Sequence, residues 1–205
     1  MKLEEEQVAF YYALGRAIDV WADLEGFLAQ LAAQCVSMPD RNALIASYHA
    51  IENFRSKVAF CDALMSHAYG DRPAFPEWKV ILDRLLRLSR LRNRLAHGHM
   101  FASTDWEIGR RIGIVDPRSG WQPIMSRLGK EPVLPPTAIC LRDVAKSAND
   151  FRAGLWTLMN FRHRLHGGEG PRPRAFEQEQ GRPTIREIRN RIRGELELPL
   201  LPSRK

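Results

Sequence analysis

The sequence predicts an all-α protein: a helical bundle of four main helices with a small β-hairpin insertion and a disordered basic tail. Three observations lead there. Apolar residues recur every three or four positions through most of the first 166 residues, which is the helical period. Clusters of Pro, Gly and Asp interrupt that period at a few places only. One interval in the middle of the chain loses the period and carries turn chemistry between two short apolar runs.

The first helix is expected from about 3 to 36, where Tyr11, Leu14, Ile18, Trp21, Leu24, Leu28, Leu31 and Cys35 form one stripe without a proline. Pro39 stops it, and Asp40 is a suitable N-cap for the next helix. That second helix is expected from about 41 to 68, with Leu44, Ile51, Phe54, Val58, Cys61 and Met65 as its stripe. The run Tyr69-Gly70-Asp71-Arg72-Pro73 breaks the chain. A third helix should start near 75–77 and end at Gly98, a residue suited to a helix C-terminus.

In the middle, Arg111-Ile112-Gly113-Ile114-Val115 and Trp121-Gln122-Pro123-Ile124 flank Asp116-Pro117-Arg118-Ser119-Gly120. That reads as a hairpin, set in an insertion from about 104 to 126. A fourth helix fits 141 to 165, with Val144, Ala148, Phe151, Leu155 and Leu158 on one face. The helical domain is therefore 1–166. The remainder, 167–205, begins GGEGPRPRAFEQEQGRP, a composition that cannot bury a core, and only 184–198 has helical potential.

With 205 residues there is enough chain for one real core. Lys and Arg outnumber Asp and Glu by 31 to 24, and the tail accounts for only part of that excess, with nine Lys/Arg against six Glu. A polyanionic partner such as nucleic acid is favoured over an acidic small substrate. The three cysteines, Cys35, Cys61 and Cys140, are far apart and odd in number, which argues against a zinc site or a disulfide framework. No metal or cofactor is expected. The acidic start MKLEEEQVAF and the lack of an eighteen-residue apolar run predict a cytoplasmic protein without a membrane partner.

Two charges sit where apolar residues belong. At about 100° per residue, Trp78, Ile81, Leu82, Leu85, Leu88 and Leu95 share the core face of the third helix, and Arg92 falls close to its middle. Arg84, Arg87, Arg90 and Arg94 fall outside that arc and read as a solvated face. A guanidinium on a core face needs a partner because it cannot deprotonate. On the first helix, Glu25 lies on the same face as Leu14, Ile18, Trp21 and Leu28. It is the natural partner for Arg92, either as a register-fixing ion pair or as support for an arginine that meets an anion. Asn93 and His97, four apart, share a flank, and His97 occupies the last turn, where a helix C-terminus favours imidazolium.

Together, Arg92-Asn93-Arg94-Leu95-Ala96-His97-Gly98 resembles the R-x4–6-H motif of the HEPN superfamily, in which a polar residue often follows the Arg. Two long helices before the motif helix and a closing helix after it resemble that family's layout. Arg94 with His99, Arg162 with His166, and Arg90 with His97 have comparable spacings, but only Arg92 combines a core-face position with a following Asn. The resemblance implies a homodimer in which Arg92, Asn93 and His97 of two chains meet and cleave RNA without a metal. His97 would be the acid/base, Arg92 the phosphate binder and Asn93 the orienting group, with Glu25 and His99 in support. It also implies a toxin or defence effector with an antitoxin or other regulatory partner. Some toxins of the family carry a Tyr two residues after the motif His as an adenylylation target; His99 stands there in this chain. Two rival readings stand beside it: a non-catalytic helical module binding a protein or nucleotide through the same face, and a nucleic-acid-binding regulator acting through its arginine-rich tail.

Overall fold

A computed structural model describes residues 3–36, 40–102, 112–119, 134 and 137–167. They form five α-helices and a small antiparallel sheet: α1 (Leu3–Gln34), α2 (Arg41–His49), α3 (Phe54–Tyr69), α4 (Pro76–His97), β1 (His99–Ala102), β2 (Ile112–Val115), β3 (Ile139–Cys140) and α5 (Leu141–Leu165). The all-α class with a small β insertion is therefore as expected. Among the described residues, no helix is long and apolar enough to cross a membrane. The tail expected from 167 onward, including 184–198, lies outside the described residues apart from Gly167.

Among the described elements, the seam between α1 and α5 is the most extensive. The Trp21 ring packs against Phe54 and Phe151, with centroids 4.7 and 5.3 Å away. Leu24 and Leu88 both converge on Gly154 of α5, so closely that a Cβ there would come 2.9 and 2.7 Å from their methyl carbons. That glycine is what lets α5 settle between α1 and α4. Helix α4 runs antiparallel to α5: Glu77 pairs with Arg164, and Arg84 donates to the Thr157 hydroxyl at 3.1 Å. At the start of α4, Trp78 stacks on Phe161 and donates its indole N–H to Asp62 at 3.0 Å.

The second expected helix is two. The chain leaves α2 at Ala50 and starts again at Phe54, where the Asn53 side chain accepts the Ser56 N–H at 2.8 Å. The periodic stripe carried straight across this break because Leu44 and Tyr48 before it and Val58 and Cys61 after it all face the same core. Asp40 caps α2 as expected, accepting from the N–H groups of Asn42 and Ala43.

Strand β2 forms where the hairpin's first arm was expected, but its partners differ. Its two edges pair with β1 (His99 opposite Val115, Ala102 opposite Ile112) and with β3 (Gly113 opposite Cys140, Ile114 opposite Ile139). The expected second arm at 121–124 lies outside the described residues. All four residues of β2 are buried, as suits the middle strand of a sheet lying against helices.

Candidate functional site

Helix α4 places every motif residue. Its core face is Trp78, Ile81, Leu82, Leu85, Leu88 and Leu95, all buried. Arg92 lies on that face near its end but is only half-buried. Its Nε is enclosed and has no hydrogen-bond partner, while Nη1 donates to Asn93 Oδ1 at 3.2 Å. The fork thus turns from the core toward the rim, where Asn93 and His97 are exposed one turn apart. His99, also exposed, opens β1 two residues beyond His97.

The end of the helix is fixed by the sheet. Gly98 has φ −76° and ψ 151°, an extended conformation open to any residue, so glycine is not demanded there by the backbone. Space demands it: an added Cβ would run into Ile114 Cγ2 and come 2.6 Å from the Arg94 carbonyl oxygen. Arg94 is tied down in turn, its Nη2 donating to the Thr137 carbonyl at 3.2 Å. His97 is therefore held between the last turn of α4 and a strand whose register on β2 is set.

Glu25 does not join this group. Its Oε1 accepts from Lys57 Nζ at 2.5 Å and its Oε2 from the Trp21 indole N–H at 3.1 Å. The expected Glu25–Arg92 pair is thus replaced by Glu25–Lys57, and Glu25 has no place in supporting Arg92. The reason is topological: α3 covers this part of α1, and Lys57 shares α3's inner stripe with Phe54, Val58 and Cys61. Lys57 is itself buried and also lies over the Tyr48 ring, 5.2 Å from its centroid. The sequence held this signal, since Lys57 is three residues after Phe54 and four before Cys61. A lysine among apolar residues at those spacings is as misplaced as Arg92.

Arg92, Asn93 and His97 lie in the last two turns of α4 and His99 opens β1, and no carboxylate is in ion-pair contact with Arg92 among the described residues. Chemically, the set offers a guanidinium fork with an unused donor, an amide and two imidazoles. That is equipment for holding an anion and moving protons beside it. Among the described residues, no three His, Cys, Asp or Glu side chains gather where a metal ion could be held. No family model, curated protein or solved structure matches the chain.

Proposed function

We propose that the protein is a metal-independent endoribonuclease of the HEPN type, acting as a homodimer. The observation that carries this reading is Arg92: a cation on a core face, its Nε enclosed and unpartnered, its fork donating to exposed Asn93. An anion arriving at the rim beside exposed Asn93 would meet the guanidinium's remaining outer donors, past Nη1. A phosphodiester fits, because the His97 imidazole, five residues further along the same helix, supplies what its cleavage needs. Neutral His97 takes the proton of the 2′-OH as that oxygen attacks phosphorus, and an imidazolium returns a proton to the departing 5′-oxygen. The Arg92 fork offsets the charge that builds on the phosphoryl oxygens, and Asn93 orients the fork through its Oδ1. One chain supplies a single His97, so the second proton-transfer group comes from the partner's motif or from His99. Such an enzyme suits a toxin or defence role in the cytoplasm, restrained by an antitoxin or a similar regulatory protein.

The test is direct. Purified protein in EDTA should cleave single-stranded RNA to 2′,3′-cyclic phosphate ends and spare DNA, which lacks the attacking hydroxyl. His97→Ala should lose the roughly 10²–10⁴-fold typical of one acid/base group, with an unchanged melting temperature because His97 is exposed. Sedimentation at micromolar concentration should report a dimer. Undiminished cleavage in His97→Ala overturns the assignment. A monomeric protein that binds RNA or a protein through this face without cutting RNA would instead be a non-catalytic module.

A further inference from the structure

Helix α4 carries six basic residues and two acidic ones, and the structure accounts for most of them. Glu77 pairs with Arg164, Lys79 with Asp62, and Arg84 with the Thr157 hydroxyl; Arg92 and Arg94 hold Asn93 and the Thr137 carbonyl. Arg87 and Arg90 are left. Both are exposed, and neither makes an ion pair or hydrogen bond among the described residues. Asp83, one turn before Arg87, makes no ion pair either. The helical neighbours of Arg90 on this flank are Leu86, Arg87, Asn93 and Arg94, so no acidic residue of α4 compensates its charge.

The position of these residues matters as much as their charge. At about 100° per residue, Arg87, Arg90, Arg94 and His97 fall within about 40° of one line along the solvent side of α4. From Arg87 to His97 the helix rises about 15 Å. A face arranged for helix stability would alternate signs at these spacings, because like charges three or four apart repel. This one stacks arginines, which grip phosphate better than lysines do, and ends on the motif histidine.

We propose that Arg87, Arg90 and Arg94 form a ridge that binds the backbone phosphates of single-stranded RNA and delivers the strand to His97. The inference rests on the reading of Arg92, Asn93 and His97 as an RNA-cleaving set, and extends it to substrate positioning. A stacked strand advances about 3.4 Å per nucleotide, so the ridge spans about four phosphates beside the scissile one. Arg94, already fixed to Thr137, is the rigid contact; Arg87 and Arg90 are positioning residues with free forks.

Two measurements with one set of variants test it. In a His97→Ala background, which binds without cutting, Arg87→Gln/Arg90→Gln should weaken binding of a fluorescent ten-nucleotide RNA at least about tenfold at low salt. The slope of log K against log salt should also shrink by about 1.4, or about 0.7 for each lost phosphate contact on a single strand. With His97 intact, the double variant should raise KM for the ten-nucleotide RNA while leaving kcat unchanged. It should cleave a dinucleotide, whose one phosphate is the scissile one, as well as the unmodified protein does. An unchanged salt slope and KM, alongside cleavage that depends on His97, overturns the ridge and leaves the ribonuclease reading standing. Absence of cleavage that depends on His97 overturns both. Equal loss of binding to polyglutamate and to RNA overturns the ridge as an RNA site and marks it as a surface for acidic proteins.

Discussion

A carboxylate and an ammonium removed from water must hold each other, and Glu25 and Lys57 do so with only 19% and 11% of their side chains exposed. Glu25→Ala should therefore cost about 3 kcal/mol, because it strands a buried lysine over the Tyr48 ring. Replacing both residues, as in Glu25→Leu/Lys57→Met, should recover most of that loss, since a well-packed apolar pair often matches a buried ion pair. Urea unfolding measures both, and a single-variant cost under about 1 kcal/mol would contradict this account. If the proposed ribonuclease reading holds, His97-dependent cleavage should be unaffected wherever the Glu25→Ala protein remains folded, because neither Glu25 nor Lys57 bonds to Arg92, Asn93 or His97. At this scale the sequence was half legible. Periodicity identified Glu25 and Arg92 as misplaced charges, since periodicity reports burial. It could not say which charges meet, because partner choice depends on which helix covers which stretch of α1, and that is a property of the packing.

Among the elements, the boundaries of α4 and α5 could be read almost to the residue, from the breaking run 69–73 before one and the glycines beyond both. The break between α2 and α3 could not, because a turn that keeps its apolar residues in phase leaves the stripe unbroken. Nor could the pairing of β2 be read. Turn chemistry at 116–120 pointed to a local hairpin, whereas the strand takes its neighbours from either side, 99–102 and 139–140, through non-local hydrogen bonds. The join between α4 and β1 gives the prediction for this scale. Gly98→Ala should force Ile114 and the last turn of α4 apart, costing about 1–3 kcal/mol as overpacking does and displacing His97. Cleavage should then fall in kcat more than the loss of stability explains, and amide exchange should quicken through 99–102. A Gly98→Ala protein with undisturbed stability and activity would mean that the sheet does not hold the histidine.

For the whole molecule, the core's burial of thiols sets an alkaline limit. Burial raises the Cys61 thiol to about 12 and Cys35 to about 11, against 9.0 for an open chain, and burial also raises Tyr48. Above pH 9 the unfolded chain has given up protons that the folded one keeps, so stability falls as pH rises, and below pH 9 these groups impose no slope. The urea midpoint should accordingly stay level up to about pH 9 and decline from there toward pH 11 to 12. Cys61→Ala should flatten part of that decline. A midpoint that does not move across this window would show that the thiols ionise freely in the folded protein.

The α1–α5 seam joins the beginning of the chain to residues some 130 positions later. On the ribosome, α1 emerges first, yet the surface that shelters Trp21, Leu24 and Leu28 is made last. Until residue 165 has cleared the exit tunnel, a nascent chain carries a long apolar stripe with nothing to close on, which is where chaperones bind and aggregation begins. The sheet that holds His97 shares this delay, because β3, which pairs with the far edge of β2, is joined directly to α5. Synthesis therefore assembles the motif's surroundings only once the bundle is complete, and a chain interrupted before α5 would have neither a closed core nor a finished site.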